Sequence, residues 1–242
     1  GVLFRPEYRR FYPAAETSAH VVGMTDIDDV GLEGVELVLD ATLKGSPGKK
    51  RVLQDERQQV IKDLEYIKAP DFGSDVTLSL DLRLQFLAYR ELKSAIEHNH
   101  AESGSLVMLD VDTGDILALV NQPSYNPNNR VDIALSDVRN RAITDAYEPG
   151  STVKPLAVMA ALESGRYTPD TLLDTSPGYF KIGHKLIEDP NNRGRLTLAG
   201  VLAKSSNVGI AKLALDLPES AIFDVFVRAG VGDPPGTGLP GE

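Results

Sequence analysis

Ser151 and Lys154, three residues apart, are the pair in this chain with the most chemistry available to it. A serine hydroxyl is a weak nucleophile and needs a base within hydrogen-bond reach. Residues i and i+3 share one helix face, so the two side chains can meet if a helix begins at Ser151. The flanks favour that start. Pro149-Gly150 has turn chemistry, and Pro155 falls in the first helical turn, where its missing N–H costs little. Ser151 then lies at a helix N-terminus, where a free backbone N–H and the helix dipole favour a developing oxyanion. Lys154 must shed a proton to act as a base, from an ordinary pKa of ~10.4. Burial or a neighbouring cation can bring that about, and only for a lysine, because an arginine stays charged.

S-x-x-K alone carries little information. The chain holds it twice, at Ser46…Lys49 and at Ser151…Lys154, and it holds S-x-N twice, at Ser124-Tyr125-Asn126 and Ser205-Ser206-Asn207. Context separates the copies. Ser46 lies in a Gly/Pro loop and Ser124 in a Pro/Asn loop, whereas Ser151 opens a helix and Ser205 falls in a break between two helical patterns. Ser151 and Ser206 each have a simpler reading as helix N-caps. That reading must then explain two coincidences in the right order.

Competing chemistries fail on their own terms. Gly45-Ser46-Pro47-Gly48-Lys49 lacks the spacing of a phosphate loop and follows no strand. Asp110 to Asp115 begins like a calcium loop, but Gly114 and Asn121 stand where ligands are required, so a hairpin turn is the better reading. His184 is a lone histidine in a polar loop, no H-E-x-x-H occurs, and no metal or organic cofactor is implied. The absence of cysteine excludes thiol nucleophiles and thiolate metal sites. A net charge of -10 argues against nucleic acid as a partner.

The elements that must position these residues read as α+β, with helices and hairpins segregated and no βαβ rhythm. The first ~70 residues read as irregular, with a helical pattern at Val35, Leu39 and Leu43, and Arg51 to Lys68 as mixed charge without periodicity. Ala69 to Ser74 has the turn chemistry of a joint. It divides the chain into residues 1–74, a small irregular module, and residues 75–242. In the second part, Val76 to Leu80 alternates like a strand. Asp81 then caps a helix with apolar positions Leu82, Phe86, Tyr89 and Ile96, and Ser105 to Val111 and Asp115 to Val120 form a hairpin around Asp112-Thr113-Gly114. Helices follow over Thr152 to Glu163, Leu196 to Lys204 and Val208 to Leu215.

Glu148-Pro149-Gly150-Ser151-Thr152-Val153-Lys154-Pro155, followed by Lys204-Ser205-Ser206-Asn207-Val208-Gly209, resembles the serine penicillin-recognising enzymes, whose motif set is S-x-x-K, S-x-N and K-T-G. The detail is most similar to class B penicillin-binding proteins, the septal peptidoglycan transpeptidases of Gram-negative bacteria. Arg9 to Pro13, Ala19 to Gly23, Gly31 to Glu36 and Pro123 to Asn129 resemble the same group, so the likeness runs through nearly the whole chain.

The resemblance implies a β-lactamase/D,D-peptidase-like fold behind a pedestal module. It implies that Ser151 attacks the penultimate D-alanine of a peptidoglycan stem peptide ending in D-Ala-D-Ala. Lys154 would act as base, Ser205 as proton relay, and Asn207 as substrate-binding residue and partner of Lys154. β-Lactam antibiotics would acylate Ser151. It also implies a periplasmic location on the inner membrane, with division-complex membrane proteins as partners. A D,D-carboxypeptidase or β-lactamase would pass the acyl group to water; a penicillin sensor or division scaffold would keep the fold without catalysis.

One departure stands out: K-T-G is absent, since Gly236-Thr237-Gly238 follows Pro235. The C-terminal part of the catalytic domain is therefore expected to lie outside this chain, as is any membrane anchor before Gly1. Loss of one oxyanion donor slows acyl transfer by ~10²–10³. Penicillin acylation of the isolated 242-residue chain, timed beside the full-length gene product, is expected to fall short by that factor or more.

Overall fold

In the computed structural model, which describes residues 9–131 and 133–242, the chain divides into two units. One comprises the residues up to Asp145 together with Gly236–Glu242, and the other is Ala146–Pro235.

The first unit opens with short elements: α1 (Ala19–Val22), β1 (Met24–Thr25), β2 (Gly31–Glu33), α2 (Gly34–Val38) and α3 (Asp40–Leu43). β1 and β2 pair antiparallel. Gly23, at φ +80°, lets the chain entering β1 approach the end of β2, because a Cβ there would lie 1.7 Å from the Glu33 carbonyl oxygen. Stretches far apart in sequence converge on this corner. The Asn128 side chain accepts from Tyr12 N–H at 3.0 Å and donates to the Tyr12 carbonyl at 2.9 Å. The Tyr125 hydroxyl donates to the Ala19 carbonyl at 3.0 Å, and Arg10 pairs with the buried Glu36 at 3.1 Å.

Arg51 to Lys68 is not irregular. β3 (Lys49–Gln54) and β4 (Val60–Lys68) form an antiparallel hairpin whose turn is held by Asp55, its carboxylate accepting from Arg57 and Gln59 N–H. Nearly every side chain on it is exposed. A ribbon with no buried face need not alternate apolar and polar residues, which removes the signal a strand normally leaves.

Val76–Leu80 forms no strand; a Ser79 hydroxyl bond to the Ile116 carbonyl and an Asp81 N–H bond to the Leu117 carbonyl tether the segment without a ladder. The Asp81 carboxylate caps α4 (Leu82–Asn99) as expected, accepting from Arg83 and Leu84 N–H. The buried face of α4 is rotated from the expected one. Leu82 and Phe86 are exposed, while Gln85 and Ala88 are buried, with Leu84, Tyr89 and Leu92 beside them. Gln85 is inside because its amide satisfies backbone groups there. It accepts from Leu119 N–H at 2.9 Å and donates to the carbonyls of Leu119 (2.8 Å) and Thr17 (2.7 Å). A buried polar side chain is tolerated when bonded in this way. Leu119 belongs to the expected hairpin, β5 (Gly104–Leu109) with β6 (Ile116–Gln122), and two helical turns follow, α5 (Leu135–Val138) and α6 (Arg141–Thr144).

The second unit contains α7 (Lys154–Glu163), β7 (Leu172–Asp174), β8 (Tyr179–Ile182), β9 (Lys185–Glu188), β10 (Arg195–Thr197), α8 (Leu198–Ala203), α9 (Asn207–Asp216) and α10 (Ala221–Arg228). β8 and β9 form a hairpin, and β10 pairs antiparallel with β7. The core joins Val158, Ala160 and Ala161 of α7 to Leu198 and Val201 of α8, Leu213 of α9 and Val225 of α10. α8 and α9 approach closely at Gly209, where an added Cβ would meet both methyl groups of the fully buried Val201 at 2.7 Å. Valine cannot swing aside there. Gly209→Ala should therefore destabilise the protein by ~1–3 kcal/mol, the usual cost of overpacking, which chemical denaturation would measure.

Candidate active site

Ser151 lies in a 3-10 turn, Gly150–Val153, that leads directly into α7. The α-helix proper begins at Lys154 rather than at Ser151, with Pro155 in its first turn. Gly150 has φ +60° and its Cβ position meets only open space, so its role is conformational. The Ser151 side chain is exposed and takes part in no hydrogen bond among the described residues, while its carbonyl accepts from Lys154 N–H.

Lys154 is 8% exposed, and its ammonium is caged by three oxygen atoms. Nζ donates to the Ser205 carbonyl at 2.7 Å, to Ser205 Oγ at 2.9 Å and to Asn207 Oδ1 at 2.6 Å. Three donors meet three acceptors, so the protonated side chain is fully satisfied. Burial pushes its pKa below the ordinary lysine value, and the negative charge of Asp189 opposes that shift.

Ser205 and Asn207 flank the break between α8 and α9. Ser205 has φ +52°, a left-handed conformation uncommon for a residue with a Cβ, and it presents both carbonyl and hydroxyl to Lys154. Ser206 is buried and caps α9, accepting from Gly209 N–H at 2.9 Å. The N-cap reading thus holds for Ser206, but not for Ser151, whose turn shows no side-chain cap. Three of the four expected site residues, Lys154, Ser205 and Asn207, share one hydrogen-bonded cluster. No side-chain bond joins Ser151 to Lys154.

Sequence reasoning missed the residues behind the cluster. Buried Asp189, just past β9, accepts from Ser206 Oγ at 2.5 Å, Asn207 N–H at 2.5 Å and Val208 N–H at 3.2 Å. The neighbouring Glu188 carbonyl accepts from Asn207 Nδ2 at 2.8 Å. That contact fixes the amide so that its oxygen faces the ammonium. Glu188-Asp189-Pro190 carries no motif whose spacing links it to Ser205. Among the described residues no group of three or more His, Cys, Asp or Glu side chains is placed to hold a metal, and no helix is long and apolar enough to cross a membrane.

Solved structures set the class. Penicillin binding protein 3 of Mycobacterium tuberculosis matches at TM-score 0.81 and 32% identity over 97% of this chain and 49% of that one; the same protein has been solved with aztreonam and with ampicillin. The mixed helix and strand architecture is thus that of the serine penicillin-recognising enzymes. Residues 104–242 match the penicillin binding protein transpeptidase domain and residues 1–78 the penicillin-binding protein dimerisation domain, and the chain belongs to the penicillin-binding protein transpeptidase family.

Among curated relatives, the peptidoglycan D,D-transpeptidase FtsI of Escherichia coli K12 is 47% identical over all 242 residues. This covers 100% of this chain and 41% of that protein. The probable peptidoglycan D,D-transpeptidase PbpC of Pseudomonas aeruginosa is 42% identical over 100% of this chain and 43% of its own length. The chain thus spans about two-fifths of the length of these relatives.

Proposed function

We propose that this chain carries the acylation machinery of a serine D,D-transpeptidase that cross-links peptidoglycan stem peptides during cell division, at the periplasmic face of the inner membrane. The observation that carries the reading is the buried lysine at the head of α7, caged by Ser205 and Asn207. Burial that lowers the pKa of a lysine within reach of hydroxyl groups is the setting a general base requires.

In the forward step Ser151 Oγ attacks the carbonyl carbon of the penultimate D-alanine, and its proton passes to neutral Lys154. The free N–H groups at the start of the 3-10 turn stabilise the oxyanion. Neutral lysine has two N–H donors and one lone pair. The carbonyl of Ser205 and Oδ1 of Asn207 only accept, so they take the two donors, and the lone pair faces groups that can give a proton. The Ser205 hydroxyl is such a group within the cage, and it carries the proton on to the departing amine as the C–N bond breaks. An ester on Ser151 and free D-alanine result. An amine from a second stem peptide then attacks the ester, gives up its proton by the same route, and restores the Ser151 hydroxyl. The Asn207 side chain also offers a hydrogen bond to the backbone of the stem peptide.

A β-lactam presents a strained amide in place of the D-Ala-D-Ala bond and leaves Ser151 acylated. Residues 75–242 are assigned to the transpeptidase domain and residues 1–74 to a pedestal that docks membrane proteins of the division complex. The test uses the full-length gene product with a D-Ala-D-Ala pentapeptide and an amine acceptor. D-Alanine release together with acceptor-linked peptide is the expected result. Release without any linked product would assign the protein as a carboxypeptidase, and rapid turnover of penicillin would assign it as a β-lactamase.

A further inference from the structure

We infer that Asp189 is a positioning residue of the site: its carboxylate fixes Ser206 and the first turn of α9 so that Ser205 and Asn207 hold their oxygen atoms on Lys154. The inference rests on the acyl-transfer reading above.

Asp189 is 9% exposed and has no Lys or Arg within salt-bridge distance among the described residues. A buried carboxylate without a counter-ion persists only where hydrogen bonds meet its charge. Here the donors are the Ser206 hydroxyl and two backbone N–H groups at the start of α9, whose dipole also favours the negative charge.

Ordinary capping does not account for this arrangement. α8 is capped by Thr197 and α4 by Asp81, each through one local side chain. α9 already has a local cap of the same kind in Ser206. Asp189 is a second clamp on a helix start that is already capped, brought from 18 residues away in sequence. It acts on the segment that carries both of the Lys154 partners.

The consequences can be followed atom by atom. The Ser206 hydroxyl donates to Asp189 and accepts from Gly209 N–H, so its rotamer is locked. Asn207 is held through its backbone N–H by Asp189 and through its side-chain amide by the Glu188 carbonyl. Ser205, in its left-handed conformation, is then gripped from one side by Lys154 and from the other by the clamped Ser206. The groups bonded to Lys154 Nζ belong to the Ser205–Asn207 segment, and behind that segment stand Glu188 and Asp189. The charge among them that acts on the ammonium is that of Asp189, whereas the side chain of Glu188 is exposed and contributes its carbonyl. Asp189 therefore does two things together: it places the acceptors, and its charge opposes the effect of burial on Lys154.

The experiment measures acylation of the full-length gene product by fluorescent penicillin across pH, for wild type, Asp189→Asn and Ser206→Ala, with thermal unfolding of each. Asp189→Asn keeps the shape and removes the charge. Its plateau rate should fall ~10–100-fold, as expected when a charge-assisted clamp is weakened. The acidic limb of its profile should also move to lower pH, because Lys154 loses the charge that favours its protonation. Ser206→Ala keeps the charge and removes two contacts, the bond to Asp189 and the cap on Gly209 N–H, so its plateau should fall ~10-fold while the limb stays in place.

Wild-type rates in either variant would overturn the inference. So would a uniform loss in Asp189→Asn with an unmoved limb, which is what a purely structural carboxylate gives. If Asp189→Asn does not fold, the Ser206→Ala rate alone decides. A wild-type protein that forms no adduct at Ser151 would instead sink the acyl-transfer reading itself.

Discussion

Ser151→Ala should abolish covalent capture of penicillin, lowering acylation by ~10⁴-fold or more, the loss typical of removing a serine nucleophile. The same substitution should leave stability within ~0.5 kcal/mol, as for an exposed residue that holds no partner. Both expectations follow from the placement of Ser151. Its side chain is exposed and makes no hydrogen bond among the described residues, so nothing in the fold depends on the hydroxyl. A hydroxyl presented on a turn at the head of a helix, with no partner of its own, is available for chemistry. Gel fluorescence after timed exposure to labelled penicillin measures the first effect and calorimetry the second. Capture within ten-fold of wild type would show that another residue is the nucleophile.

Lys154→Arg is the more discriminating substitution, because arginine keeps the positive charge and can still donate to Ser205 and Asn207. A guanidinium does not give up its proton in a protein, so it cannot serve as a base. Acylation should fall ~10²–10⁴-fold, the range a general base contributes. Lys154→Met should fall at least as far and should also lose stability, since it leaves the inward-facing oxygen atoms of Ser205 and Asn207 without their donor. If arginine restores acylation where methionine does not, Lys154 acts as a cation and not as a base. For the wild-type protein, acylation should rise with pH and level off below the ordinary lysine pKa, because burial lowers that of Lys154. Steady-state acylation across pH measures this directly.

The parts of the site that were legible in the sequence are those fixed by local geometry. Ser151 and Lys154 are neighbours along the chain, and Pro149, Gly150 and Pro155 mark a helix start around them. The structure moves that start by one turn, because the segment from Gly150 to Val153 winds as a 3-10 turn before α7 begins. The Ser205–Asn207 break was legible because two helical patterns stop on either side of it. That these oxygen atoms close on Lys154, and that Asp189 stands behind them, depends on the approach of α7, α9 and the end of β9. No spacing in the sequence records that approach.

The same division runs through the fold. Asp81 was readable as a cap and Asp112-Thr113-Gly114 as a hairpin turn, since each acts on residues next to it. The phase of α4 was not, because its most buried polar residue, Gln85, is inside to satisfy Leu119 and Thr17, which are distant in sequence. The β3–β4 ribbon was missed for the opposite reason. It buries almost nothing, so it leaves no alternation to read. The stretches Arg9 to Pro13, Ala19 to Gly23 and Pro123 to Asn129, distant in sequence, meet in the fold through the bonds that join Tyr12 to Asn128 and Ala19 to Tyr125.

Ester formation on Ser151 is tested by intact mass. The full-length gene product is weighed intact before and after exposure to penicillin, then digested, and the modified peptide is sequenced by mass spectrometry. A mass gain of one antibiotic per chain, located on Ser151 and stable over the time of the experiment, is the expected result. An unchanged mass, or an adduct on any other residue, would contradict it.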